Sequence, residues 1–141
     1  MPVEREIIVS SVIYKKNKQG ISILLENNEK CWNLFFDSID EEKRIEDKIK
    51  VISQQRSTIN EIRLIADLGC LKYWFQNGKN LMHRRVYSFL FETPQTYNND
   101  VESKSDKLKW FTPEESHELL PTKDSKLILD RALEKLKVTL N

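Results

Sequence analysis

Asn77-Gly78 stands between two apolar runs, Ile59 to Gln76 and Leu81 to Glu92, and this constrains the fold more than any other feature. Asn-Gly suits a tight turn, so the runs on either side read as two long strands of a β-hairpin. An isolated hairpin is marginal in water, and the rest of the chain must supply further strands and covering helices. Glu6 to Tyr14 (EIIVSSVIY) is β-branched and apolar and predicts a buried strand. Lys15 to Gly20 is a polar turn, and Ile21 to Glu26 (ISILLE) predicts the returning strand of a second hairpin. Cys31 to Phe36 is a short apolar piece after the Asn27–Lys30 loop.

Helices are predicted at three places. Asp37-Ser38-Ile39-Asp40-Glu41-Glu42 reads as a helix entrance, with Ser38 or Asp40 capping free amides and the acidic residues facing the positive dipole end. From there to about Arg56, Ile45, Ile49 and Ile52 recur at helical spacing as one buried stripe. Thr112-Pro113-Glu114-Glu115 starts a short helix that Pro121 ends. Asp124 to about Lys137 predicts an amphipathic helix with Leu127, Ile128, Ala132, Leu133 and Leu136 inward. Lys107 to Phe111 resumes a strand, and Thr93 to Asp106 is the one polar stretch long enough to be a mobile loop. The order gives an α+β domain over residues 1–141, with its core between about 6 and 137.

Charge argues against recruitment by a global field. The 23 basic and 22 acidic residues nearly cancel, so any anion site must be local, and nucleic acid is not an expected partner. No apolar run approaches the roughly 20 residues that span a bilayer, and the N-terminus lacks a signal-peptide layout. Cys31 and Cys70 show no metal-ligand spacing and are expected to be reduced, which points to a cytoplasmic location.

Several segments, in order, resemble the Nudix hydrolase superfamily of MutT-like proteins. Trp32-Asn33-Leu34 is similar to the Trp-Gly-Leu before the Nudix box, and Ile65-Ala66-Asp67-Leu68-Gly69 to the segment after it. Tyr73-Trp74-Phe75, a turn, and Met82-His83-Arg84-Arg85-Val86-Tyr87-Ser88-Phe89-Leu90 resemble the hairpin of members acting on dinucleoside polyphosphates. Lys109-Trp110-Phe111 with Pro113-Glu114-Glu115 resembles the late strand and helix. The resemblance implies an α/β/α sandwich around a mixed sheet.

The box itself is degenerate. Its family pattern is Gly-x5-Glu-x7-Arg-Glu-apolar-x-Glu-Glu-x-Gly-apolar. An ungapped count from Trp32 puts the first glycine at Asp37, the first glutamate at Lys43 and the Arg-Glu pair at Val51-Ile52. The Glu-Glu pair falls on Gln55-Arg56, the second glycine on Thr58, and the apolar position on Ser53. Deleting one residue keeps Ile49 and Ile52 inward and moves the first glutamate to Glu42. The pairs then become Lys50-Val51 and Gln54-Gln55. The second register is preferred here because it keeps the isoleucine stripe buried, whereas the first puts Ser53 at the apolar position. In either, the carboxylates that in the family hold divalent metal are missing, and glutamine lacks the anionic oxygens that magnesium takes. No catalytic residue and no metal ligand is assigned.

Other acids offer the competing reading. Asp40, Glu41, Glu42, Glu46 and Asp47 are close in sequence, and Glu42 and Glu46 sit four apart, although a solvated helix start explains them as well. Asp100, Glu102 or Asp106 could supply ligands from the loop. The remaining ligand-like feature is the hairpin, where Lys79, His83, Arg84 and Arg85 gather near the turn. Alternation sends His83 and Arg85 to one face and Arg84 to the other. The resemblance puts Arg84 toward substrate phosphates, with Tyr73, Phe75 and Tyr87 available to stack on a base; plain core and cross-strand roles are the alternative. Three functions follow as expectations. One is a catalytically silent nucleotide-binding sensor or regulatory module without cofactor. The second is a protein-interaction scaffold, with a protein partner or a homodimer. The third is a divergent phosphohydrolase with rebuilt ligands, the only case requiring Mg2+. A cleft filled by Trp32, Phe35 or Phe36 would favour the scaffold.

Overall fold

The structure is a computed structural model that describes residues 3–18, 20–94, 106–138 and 140. Most of the expected mobile loop, residues 95–105 with Asp100 and Glu102, lies outside the described residues. The elements run β1 (Val3–Asn17), β2 (Gly20–Asn27), β3 (Trp32–Asn33), β4 (Phe35–Ile39), α1 (Ile45–Ser57), β5 (Arg63–Asn77), β6 (Asn80–Glu92), β7 (Leu108–Phe111), α2 (Pro113–Leu119) and α3 (Lys123–Lys135).

Among the described residues all seven strands belong to one mixed sheet, with the path β3-β2-β1-β6-β5 and with β4 and β7 attached beside it. The Asn-Gly hairpin forms as expected: β5 and β6 pair antiparallel up to Asn77 and Asn80, and Gly78 holds φ 63° in the turn. β6 then lies parallel to β1 along its length, from Val3–Leu81 to Tyr14–Glu92. The opposite edge of β1 is shared. Its first half pairs with β4 and its second half with β2, both antiparallel, while β7 adds to β2.

Strand alternation gives the sheet two apolar faces, and a helix covers each. Val12, Tyr14, Leu25, Val86 and Leu90 pack beneath Ile128, Leu129, Ala132 and Leu133 of α3. Val9, Ile13, Leu24, Phe35, Phe89 and Phe91 pack with Ile49 of α1 and with Ile59 and Ile62, which follow that helix. This is the expected α+β sandwich. No helix among the described residues is long and apolar enough to cross a membrane.

Three expectations are corrected. Asp37 to Glu42 is not a helix entrance: Phe35–Ile39 is captured as β4 by hydrogen bonding to β1, and α1 begins only at Ile45. Its N-cap is Arg44 in a left-handed conformation, without a side-chain cap from Ser38 or Asp40. The buried stripe of α1 is Ile49, Ser53 and Ser57, with Ile45 and Ile52 only half-buried. Ser53 is tolerated inside because its hydroxyl donates to Ser11 Oγ of β1 at 2.9 Å, so neither buried hydroxyl is left unpaired. In α3, Leu129 takes the inward place expected for Leu127, which is 39% exposed. The helix start expected at Thr112 is present, and a capping box closes it: Glu115 N–H donates to Thr112 Oγ1 at 3.1 Å, and Thr112 N–H donates to Glu115 Oε1 at 3.0 Å.

Candidate ligand cleft

A left-handed residue ends α1. Thr58 sits at φ 62°, a conformation that glycine adopts at least cost, and the ungapped count puts the box's second glycine there. With Ser53 buried and hydrogen-bonded, the physical objection to that count disappears. It then sets Arg56 where the family has the second glutamate of its Glu-Glu pair.

Each nitrogen of the Arg56 guanidinium donates to an oxygen. Its Nε donates to Glu26 Oε1 at 3.3 Å, Nη2 donates to Glu26 Oε2, and Nη1 donates to the Phe36 carbonyl. Asp37 Oδ2 stands 3.9 Å from Nη1. Glu26 comes from the end of β2, Phe36 and Asp37 from β4, and the arginine from the last turn of α1. Three elements therefore converge on one guanidinium, whose side chain is 31% exposed.

The same arginine lines a cleft of about 330 Å³ with Glu26, Phe36, Tyr73, Arg84 and Asp124. Arg84 and Tyr73 are cross-strand partners on β6 and β5. Arg84 lies over the Phe75 ring at 4.7 Å, and its Nε and Nη2 both donate to one oxygen of Glu6, at 3.1 and 3.0 Å. The Tyr73 hydroxyl is buried without reaching good hydrogen-bond geometry, although Asp124 is near. Burial first, then the Asp124 carboxylate, push its pKa well above the ordinary phenol value, so it stays a neutral hydroxyl. Larger hollows exist beside Lys16, Arg63 and Glu92 and beside Arg5, Asp40 and Glu42, but neither brings two arginines and an aromatic wall together.

The expected site residues divide between the two faces. Arg84, Tyr73 and Phe75 share the cleft side. His83, Arg85 and Tyr87 point the other way, as strand alternation requires, so the expectation that Tyr87 stacks on a base beside Tyr73 and Phe75 is corrected. His83 is buried and stacks on Trp74 at 4.3 Å. Arg85 Nη1 donates to both Glu42 oxygens, at 3.0 and 2.8 Å, and the Tyr87 hydroxyl donates to Glu42 Oε2 at 2.5 Å. Glu42 precedes α1 rather than sharing a helical face with Glu46, so the proposed cation pair does not form. Lys50, Val51 and Gln55 are exposed, and Gln54 Nε2 donates to the Asn60 carbonyl at 2.7 Å. Asp47 pairs with Arg44 at 3.1 Å, and Asp106 lies exposed in a turn.

Tyr87 and Arg85 hold the Glu42 carboxyl below the usual glutamate range, with the tyrosine hydrogen bond the largest cause. A depressed folded-state pKa contributes stability above the unfolded value, and that contribution is lost as pH falls through the folded one. In a carboxyl NMR titration Glu42 will have a low midpoint, and Tyr87→Phe will move it upward. A midpoint unmoved by that substitution would exclude the hydrogen bond as the cause.

The donor set does not fit a divalent cation. Among the described residues no three of His, Cys, Asp and Glu are placed to hold one, and the Glu26 carboxylate is already committed to Arg56. Sequence reading missed Arg56 because the register that exposed it required a buried serine. The signal that would have found it was Ser11, whose hydroxyl on β1 could receive Ser53.

Trp32 does not fill the cleft but packs edge-on against Phe111 at 5.2 Å, and Phe35 belongs to the opposite face. Phe36 is a half-buried wall of the cleft, not a plug.

No protein-family model and no curated protein matches the sequence. Solved structures do. NrtR of Shewanella oneidensis superposes over 93% of this chain with a TM-score of 0.70 and 15% identity, and the match spans 63% of that longer protein. An Ap4A hydrolase of C. elegans gives a TM-score of 0.71 at 14% identity, over 93% of this chain and 98% of its own. The Nudix domain of the same NrtR, crystallised with ADP ribose, gives 0.62 at 15% identity, over 92% and 87%. Such identities speak for architecture alone. Sheet order, the two helical layers and these superpositions together give this chain the Nudix fold.

Proposed function

We propose that the domain binds a nucleotide or nucleoside-diphosphate compound in the Arg56–Arg84 cleft, as a sensor or regulatory module, without metal-assisted hydrolysis. One observation carries this reading: Arg84 lines an open cleft whose walls include Tyr73 and Phe36. Its fork spends two donors on a single, partly exposed Glu6 oxygen. A surface ion pair of that kind contributes little, so a phosphate can replace the carboxylate at small cost. The aromatic wall suits a base. Support also comes from the NrtR Nudix domain crystallised with ADP ribose. The lack of a carboxylate cluster among the described residues ranks the divergent hydrolase lower. The open cleft ranks the pure scaffold lower.

Thermal unfolding against nucleotides, dinucleoside polyphosphates and nucleotide sugars, with and without magnesium, tests this. One compound at about 100 times its dissociation constant will add roughly 2.7 kcal/mol, and Arg84→Ala will remove that gain. Stabilisation that requires magnesium would overturn the metal-free reading. No stabilisation by any compound would overturn the ligand reading and leave a protein partner as the better account.

A further inference from the structure

We infer that Arg56 is a tethered substitute for a divalent cation: its guanidinium stands among oxygens of the type a metal ion takes, at the place where a third carboxylate would be needed to hold one. The inference shares the cleft of the proposed function and deepens it. The cage consists of both Glu26 carboxylate oxygens, the Phe36 carbonyl oxygen and Asp37 Oδ2. These are hard, partly or fully anionic oxygens from two strands, the donor type that Mg2+ and Mn2+ take. The Arg56 guanidinium stands between the Glu26 and Asp37 carboxylates and offsets their charge, so this chain supplies the cation covalently.

The side chain comes from α1, next to the left-handed Thr58 that ends the helix, so the chain's own geometry aims it there. A guanidinium is always charged, and its planar fork serves several oxygens at once. It differs from a metal in one decisive respect. Having no open coordination position, it can neither bind and ionise a water nor act as a Lewis acid on a phosphoryl oxygen. The substitution keeps the electrostatic balance of the cleft and discards the chemistry.

The test needs no nucleotide, so it can fail separately from the ligand reading. Mn2+ binding is measured by water-proton relaxation, and thermal unfolding is followed with and without Mn2+, on the whole chain. Wild type and Arg56→Lys, which keeps a cation, are expected to bind Mn2+ weakly and to show no stabilisation by it. Arg56→Glu is expected to bind at least about tenfold tighter, as expected when a cation in contact with the site is replaced by an anion. Mn2+ is also expected to raise its unfolding temperature. Adding Glu26→Gln to that variant should abolish both effects. If Arg56→Glu does not fold without metal, refolding in Mn2+ but not in its absence supports the inference. Arg56→Gln, which only removes the charge, gives the same comparison in a milder form. Equal Mn2+ affinity in wild type, Arg56→Gln and Arg56→Glu would overturn the inference. So would tighter binding that survives Glu26→Gln.

Discussion

Phe35→Ala will lower the unfolding free energy by about 3–5 kcal/mol, the range for removing a buried aromatic side chain. Phe35 has no exposed surface, and β4 is pinned to β1 by backbone pairing at Ser11, so the site cannot collapse around the loss. Its ring belongs to the cluster formed by Val9, Ile13, Leu24, Ile49 and Phe89, where strands and α1 meet. Urea denaturation followed by far-UV circular dichroism reads the effect directly. Its neighbour Phe36 is half-buried and walls the ligand cleft, so Phe36→Ala is expected to cost clearly less stability. If the two variants unfolded alike, the division of β4 between core and cleft would be wrong.

Leu129→Ala in α3 will cost about 2–5 kcal/mol, whereas Leu127→Ala will change stability by less than about 1 kcal/mol. Leu129 is fully buried against the sheet beside Ile128, Ala132 and Leu133, and Leu127 is 39% exposed. Both are leucines two positions apart on one helix, so propensity is identical and only burial differs. The pair therefore measures the helix's rotational setting on the sheet. Comparable losses, or a reversed order, would show that α3 docks through a different face.

That second pair also shows where sequence reasoning reaches its limit. The hairpin, the strands and the start of α2 at Thr112-Pro113 were legible because each is fixed by local chemistry: turn residues, β-branched runs, a threonine before a first-turn proline. Leu127 and Leu129 were not separable in that way, since Leu127, Ile128 and Leu129 are consecutive and a 3.6-residue period tolerates either edge. The start of α1 failed for a related reason. Residues 37–42 carry every local mark of a helix entrance, but β1 offers a free edge, and tertiary pairing overrides local preference. The candidate site was half legible. Alternation along β6 separated Arg84 from His83 and Arg85, and the family resemblance singled it out, whereas the cage around Arg56 depends on Glu26, Phe36 and Asp37 meeting across the chain. No periodicity within one segment encodes that meeting.

The parallel pairing of β1 with β6 has a consequence for how the molecule assembles. Every partner in that ladder lies 78 positions away, as in Ile8 with Val86, so the centre of the sheet closes one large loop. Ideal-chain closure of that length costs about 4 kcal/mol before any contact rewards it. The short-range hairpins β1–β2 and β5–β6 carry no such cost and can form from their own turns. On that accounting the expected assembly is a docking of two preformed hairpins, with β1 as the seam and its parallel register the slowest step. During synthesis β1 emerges before β6 and must wait, its edge unpaired on that side, until β6 has followed. Ser10 and Ser11 break its apolar run at the middle of that waiting edge, which tempers its attraction for strands of other chains.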